Sequence, residues 1–209
     1  MSEISTLEIL KEKSIKIDRW LNYFIAGAIL IVGILLFTVV SAIFSPATAF
    51  TVEQGVEHWR ANFSPVYFDT AGFFITIPFT QLQPLGEHMF EAKHAYITFQ
   101  TFLGISYFAP LFYGIFQVKK ILYAVTTEYT PFTEENKKRM KKIAWAIIIY
   151  ALAGDLLINL AMNMFVTQIY SFNPIHISLT GLIIGGLMLI LVHIFDIGIE
   201  LQQDADTTL

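Results

Sequence analysis

Four long apolar runs constrain this chain more than any other feature of its sequence. They cover residues 21–44, 96–118, 143–165 and 176–198. A helix of about 20 residues crosses a hydrocarbon core of roughly 30 Å, so each run is long enough to span a membrane. The hydrophobic share of 55% also exceeds the roughly 45–50% of ordinary soluble domains. The sequence predicts an all-α integral membrane four-helix bundle, with a structured external loop between spans one and two.

The four runs divide the chain into nine segments. An N-terminal cytoplasmic segment of residues 1–20 is either an amphipathic helix at the membrane surface or a solvated lead-in to span one. The spans are separated by an extracytoplasmic loop or cap (45–95), a basic cytoplasmic loop (119–142) and a short external loop (166–175), and a cytoplasmic tail (199–209) follows. The first loop is too long for a simple connection, which indicates that it is structured.

The positive charges predict the orientation. Eleven of the thirteen Lys and Arg residues precede span one or lie between spans two and three, whereas Arg60 and Lys93 lie in the first loop. Under the positive-inside rule this asymmetry places both termini in the cytoplasm. The chain has no cysteine, which excludes disulfides and thiolate ligands.

Local patterns predict the elements of the first loop. Thr51 and Gln54 have the spacing of a capping box, which predicts a short helix from Thr51 to about Arg60. Residues 72–79 alternate in a way typical of an extended segment, and Pro78 limits that segment to the edge of a sheet. From Gly86 the pattern is helical again and leads into span two.

Span three carries polar side chains at a spacing that indicates a common face. Asp155, Asn159 and Asn163 are four residues apart, so they cover an arc of only about 80° on the helix. A carboxylate near a bilayer centre costs about 2.5–3.5 kcal/mol on insertion scales. By depth, Ser106 and Tyr107 of span two lie beside Asp155, and Tyr107 is a candidate donor. The stripe is explained either by hydrogen bonds between helices or by a relay or polar ligand site.

Span four carries glycines at a spacing that allows close helix contact. Gly181 and Gly185 form the small-xxx-small pattern, with Gly186 beside them. Counting from the midpoints of the spans places Gly181 near Asn159 and Gly185 near Asp155. We therefore expect spans three and four to pack through these three glycines.

Metal and catalytic patterns are weak. Glu87, Glu91 and His94 share one face of a predicted helix and are the best candidates for a divalent metal. A solvated helix face is the preferred explanation of these three residues. The sequence has no nucleotide-binding loop and no nucleophile with a matching base. We expect a protein that is not an enzyme and needs no cofactor.

The basic loop ends in a turn followed by a cationic helix start. Thr133 is placed to cap this helix, and residues 137–142 form a basic collar at the membrane surface. Ordinary positive-inside anchoring explains the collar. The acidic tail after span four is expected to pair with it through Glu200 or Asp204, and a partner-docking surface is the alternative.

The turn and the tail resemble a known family. The two stretches are TPFTEENKKRMKKIAW (130–145) and IFDIGIELQQDADTTL (194–209), and they resemble the bacterial four-span membrane proteins catalogued as domain of unknown function 2975 (DUF2975). The matching residues of the turn and tail include Pro131, Phe132, Thr133, Glu135, Asn136, Phe195, Gly198, Leu201 and Gln202. The resemblance covers about the last eighty residues. The long external loop is expected to be this chain's own elaboration.

The resemblance implies a fold rather than an activity. Members are often encoded beside a small helix-turn-helix regulator, which implies regulation at the bacterial cytoplasmic membrane through such a cytoplasmic partner. We therefore expect a non-enzymatic regulatory or interaction protein that is embedded in the lipid bilayer and does not itself bind nucleic acid. A homodimer is compatible with four spans. The alternative is a small transporter or immunity-type membrane protein that uses the polar stripe at Asp155.

Overall fold

Four helices long and apolar enough to cross a membrane dominate the structure. The computed structural model describes residues 3–65, 72–84, 90–128, 132–169 and 177–208. The helices are α1 (Glu3–Phe44), α2 (Ala92–Glu128), α3 (Glu134–Met162) and α4 (Leu179–Thr208), and α3 continues as a π-helical turn (Asn163–Thr167). Each contains a candidate membrane span. The prediction of an all-α, four-span membrane protein is confirmed.

The helices extend well beyond their apolar runs. The first helix has 42 residues, so it is about 63 Å long, roughly twice the hydrocarbon thickness of a bilayer. Its charged start is continuous with the span and does not form a separate surface helix. The last helix likewise continues to Thr208 through the predicted tail.

Internal contacts divide the chain into two compact units. One comprises Met1–Ala28, Ala109–Ala151 and Ser178–Leu209, and the other comprises Ile29–Phe108 and Leu152–Ile177. The first holds eleven of the thirteen Lys and Arg residues, and we call it the basic unit. The second contains the strands, and we call it the sheet unit.

The sheet unit contains a three-stranded antiparallel sheet in the order β1–β2–β3. The strands are β1 (Phe50–Gln54), β2 (His58–Phe63) and β3 (Phe73–Pro78). In the register, Phe50 pairs with Phe63 and Trp59 pairs with Ile77. The predicted extended segment is confirmed as β3, which pairs only with β2 in this sheet and so lies at its edge.

The helix predicted from Thr51 to Arg60 is wrong. This region forms β1, a tight turn and the start of β2, and the turn is closed by a bond from the Gly55 amide to the His58 carbonyl (2.8 Å). The physical reason is the alternation in β2, which buries Trp59, Ala61 and Phe63 and leaves Arg60 exposed. A period of two puts these apolar side chains on one face of a strand, whereas a helix would spread them around its axis.

Aromatic side chains form the centre of the sheet unit. The rings of Phe50 and Phe63 stack at 4.6 Å, and Tyr96 of α2 meets both, at 5.7 and 5.4 Å. Ile158 and Met162 of α3 belong to the same buried cluster. The sheet is therefore packed on the helices of its own unit, as expected for a cap that does not project freely.

Lys93 joins the end of α1 to the start of α2. Its Nζ donates to the carbonyl oxygens of Ile43 (3.0 Å) and Ser45 (2.7 Å). The last carbonyls of a helix have no partner within the helix, and a cation beside them also complements the helix dipole. One side chain thereby fixes both helical borders of the loop that carries the sheet.

Candidate functional site

The start of α3 is built from residues of the predicted turn. The Thr133 hydroxyl accepts a hydrogen bond from the Asn136 amide (3.1 Å), and the Thr133 carbonyl accepts one from the Lys137 amide (3.0 Å). Glu134 and Glu135 occupy the first turn, where the helix dipole favours acidic side chains. Thr133 is therefore the N-cap of α3.

Asn136 and Arg139 connect this helix start to α2. Asn136 is completely buried, and its Oδ1 accepts a bond from Nη1 of Arg139 (2.9 Å). The same Nη1 donates to the carbonyl of Lys120 (3.0 Å). Glu135 Oε1 lies 3.6 Å from Arg139 Nε, which is an ion pair without a hydrogen bond. Sequence reasoning assigned Arg139 only to the collar, although its spacing of three residues from Asn136 is a usable signal.

The turn also contacts α4. The rings of Phe132 and Phe195 lie 5.2 Å apart. A Cβ atom at Gly198 would lie 2.6 Å from Cδ1 of Phe132, so only glycine allows the ring this close without a shift. Lys137 forms an ion pair with Asp196. We call this contact between the start of α3 and α4 the turn–tail junction.

The turn–tail junction contains several of the turn and tail residues that the sequence analysis singled out, but not all of them. Leu201 is 65% exposed, and Gln202 is half-buried one residue further along α4. Pro131 lies outside the described residues. The collar was expected to pair with Glu200 or Asp204, and the structure shows a pair of Lys137 with Asp196. Phe132 packs against Gly198 and so brings Lys137 to the level of Asp196.

The polar stripe of α3 lies in the sheet unit. Asp155 and Asn163 are half-buried and Asn159 is buried. No hydrogen bond or ion pair to Asp155 occurs within the part of the chain that the structure describes, and Oδ1 of buried Asn159 has no donor there. The Asp155 carboxylate and the Asn159 amide oxygen are thus hydrogen-bond acceptors without a donor among the described residues of the sheet unit.

The hydrogen bond from Tyr107 to Asp155 stays a prediction. Tyr107 is 51% exposed, whereas its neighbour Ser106 is buried and donates to the Gly154 carbonyl of α3 (3.2 Å). Successive residues differ by about 100° around a helix. Counting residues from the span midpoints thus gave the right level in the membrane but did not identify Ser106 as a donor to α3.

Two of the three glycines lie against α3 in the basic unit. A Cβ at Gly181 would lie 2.7 Å from Cβ of Ala151, and one at Gly185 would lie 2.5 Å from Cγ1 of Ile148. Apart from the backbone of α4 itself, no atom of the described residues lies within 4 Å of a Cβ placed at Gly186. Gly186 is thus outside the close contact.

The predicted levels of Gly181 and Gly185 are wrong. They were expected beside Asn159 and Asp155, which lie about two turns further along α3. The Ser178 amide bonds to the Ala151 carbonyl (3.0 Å), so α4 begins beside the middle of α3 and not beside its end.

The structure also locates two of the weak metal candidates. Nδ1 of His94 lies 3.1 Å from Glu91, with both side chains more than half exposed. Glu87 lies outside the described residues. Among the residues that are described, no group of three or more His, Cys, Asp or Glu could hold a metal ion.

With this geometry in place, the comparison with known families is decisive. The family described as "Protein of unknown function (DUF2975)" matches residues 71–209, which is more than half of the chain. The chain belongs to the DUF2975 family. No curated protein and no solved structure matches it.

The DUF2975 match is longer than the expected eighty residues. It includes β3, α2, α3 and α4, together with every residue of the turn–tail junction. The strands β1 and β2 precede the match, but β3 lies within it, so only the first part of the external loop falls outside the family. The junction is thus a feature of the family region of this chain.

Proposed function

We propose that this DUF2975 protein is a non-enzymatic regulatory or interaction protein of the bacterial cytoplasmic membrane, with both termini in the cytoplasm. The positive-inside asymmetry supports the orientation, since eleven of the thirteen Lys and Arg residues belong to the basic unit. In this topology the turn–tail junction faces the cytoplasm and the sheet faces outward.

One observation carries the proposal: the turn–tail junction holds α4 in place, and α4 then continues as a helix to Thr208. The continuation presents Leu201, which is 65% exposed, next to the exposed carboxylate of Glu200. An apolar side chain beside acidic groups on a helix is suited to a hydrophobic groove with a basic rim. A cytoplasmic helix-turn-helix regulator is a partner of this chemistry, because DNA-binding proteins are basic.

The test is affinity purification of the tagged protein from native membranes after mild cross-linking, with mass spectrometry of the proteins recovered. We expect the wild type to retain a cytoplasmic DNA-binding protein. Leu201→Asp and removal of residues 201–209 should both lose it. Val56→Asp is the matched control, because Val56 is 92% exposed in the turn between β1 and β2 and the same charge change there should have no effect.

Equal recovery with the protein that lacks residues 201–209 would contradict docking on the tail. Recovery of the chain only with copies of itself would instead favour a homodimer and the second function below. Two differently tagged copies in one cell distinguish that dimer from background.

The second function is a small transporter or immunity-type membrane protein that uses the Asp155 stripe. The half-buried Asp155 favours it, as does the Asn159 oxygen, which has no donor among the described residues. Unsatisfied polar groups inside a membrane protein are costly and often functional. Asp155→Asn should abolish ion-coupled transport in proteoliposomes, while Glu53→Gln on the exposed face of β1 should not. Unchanged regulation in Asp155→Asn would leave the tail-docking function as the better account.

A further inference from the structure

The basic collar of α3 has two faces with different surroundings. Lys137 and Arg139 point to protein, where Lys137 pairs with Asp196 and Arg139 bonds to Asn136 and the Lys120 carbonyl. The other collar cations are Lys138, Lys141 and Lys142, and all three are exposed. None of these three has an ion pair within the described ranges of the chain.

The three exposed lysines lie on one side of α3. At about 100° per residue, Lys138, Lys141 and Lys142 fall within an arc of about 100°. Trp145 and Ile149 fall within the same arc, and they are 48% and 59% exposed. We call this surface the lysine face. Along it, three ammonium groups are followed by an indole and then by an aliphatic side chain.

This order matches the chemistry of a phospholipid in a bilayer. Ammonium groups on long side chains reach the headgroup phosphate, indoles concentrate at the membrane interface, and aliphatic side chains contact the acyl chains. Independently of the function proposed above, we infer that the lysine face of α3 is a binding surface for an anionic phospholipid, with the headgroup held by Lys138, Lys141 and Lys142.

The acidic groups at the start of the same helix pair with other cations. Glu134 and Glu135 lie in the turn before the lysine face. Glu134 lies 3.4 Å from Lys137, and Glu135 lies 3.6 Å from Arg139. Each first-turn acid thus contacts Lys137 or Arg139, and no acid contacts the three outward lysines within the described ranges of the chain. Positive-inside anchoring requires only that cations lie near the membrane. On α3, in addition, the cations without an ion pair share the lysine face, and the paired Lys137 and Arg139 lie outside it.

The experiment measures binding of phosphatidylglycerol to the purified full-length protein by native mass spectrometry, with phosphatidylcholine as the neutral comparison. The test variant is Lys138→Gln/Lys141→Gln/Lys142→Gln. The matched control is Lys13→Gln/Lys16→Gln/Arg19→Gln, which removes the same charge from three exposed positions of α1. Each interfacial cation attracts anionic lipid, but the carboxylates of Glu12 and Asp18 lie among the control cations, whereas residues 137–142 contain no acid. We therefore expect the test variant to bind phosphatidylglycerol about tenfold or more weakly and the control less than about twofold.

A second variant separates binding from folding. Lys138→Arg/Lys141→Arg/Lys142→Arg keeps the charge and should bind phosphatidylglycerol as the wild type does. This result would show that the glutamine variant loses binding because it loses charge and not because it loses structure. The inference would be overturned if the α1 control lost as much phosphatidylglycerol binding as the test variant. It would also be overturned if the wild type bound phosphatidylcholine as tightly as phosphatidylglycerol. Displacement of the lipid by inorganic phosphate at equal concentration would likewise overturn it, because the site would then be a phosphate site and not a lipid site.

Discussion

The sheet unit and the basic unit are stabilised by different physical means. The sheet unit buries large aromatic side chains, with Phe63 in contact with Phe50, Phe73 and Tyr96. The basic unit instead relies on close helix contacts at Gly181 and Gly185 and on the polar and ring contacts of the turn–tail junction.

This difference indicates what each unit tolerates. Large buried rings stabilise a core mainly through the apolar surface that they bury, so a core of this kind tolerates other apolar side chains of similar volume. A ring packed against a glycine, or a capped helix start, depends instead on particular residues. The junction residues lie within the DUF2975 match, while β1 and β2 precede it. The substitutions below test this contrast, from the largest expected effect to the smallest.

Phe63→Ala should cause the largest loss of stability, about 3–5 kcal/mol, because it removes a fully buried ring from the centre of the aromatic cluster. Phe74→Ala is the control on the same sheet. Its ring is 60% exposed and lies under the Arg60 guanidinium, so we expect a loss of only about 0.5–1 kcal/mol. Pulse proteolysis in detergent measures both. Similar losses at the two positions would mean that the cluster is not the core of the unit.

Gly181→Ala and Gly185→Ala should each destabilise the basic unit by about 1–3 kcal/mol, because the new Cβ overlaps α3 and forces the helices apart. Gly186→Ala has open space and should stabilise α4 by up to about 1 kcal/mol through helix propensity. Thermal denaturation in detergent gives the sign of each effect. A loss at Gly186 equal to that at Gly185 would contradict the observed helix contact.

Among the test substitutions, as distinct from their controls, Thr133→Ala should have the smallest effect, about 1 kcal/mol, because it removes the N-cap of α3. The effect should be local, so hydrogen exchange at the Asn136 amide should accelerate while exchange in the sheet unit stays unchanged. Thr126→Ala serves as the control, since that hydroxyl bonds to a carbonyl within α2. Faster exchange throughout both units would show that the cap does more than start one helix.

The spans were predictable because apolar runs of about 20 residues specify a membrane helix whatever its neighbours are. β1 and β2 were not, because Thr51 and Gln54 fit a capping box by chance, and the period-two burial of Trp59, Ala61 and Phe63 outweighed that local signal.

The level of a residue along a span could likewise be predicted better than the side of the helix on which its side chain lies. Residue counting placed span two correctly beside Asp155 but could not show that Ser106 donates a hydrogen bond to α3. The levels of Gly181 and Gly185 were missed because midpoint counting assumes spans of equal extent, whereas α4 begins beside Ala151. The structural role of Arg139 was missed because, within a run of cationic residues, the sequence does not distinguish the one that forms specific hydrogen bonds from the others.

Labelling of single cysteines tests the central claim most directly, because the chain has no cysteine of its own. Val56→Cys and Leu201→Cys report on the β1–β2 turn and on the tail, and both positions are well exposed. With a membrane-impermeant maleimide, we expect Val56→Cys to be labelled in intact spheroplasts and Leu201→Cys only after lysis. Labelling of Leu201→Cys in intact spheroplasts would contradict the account, because a tail outside the cell cannot dock a cytoplasmic partner.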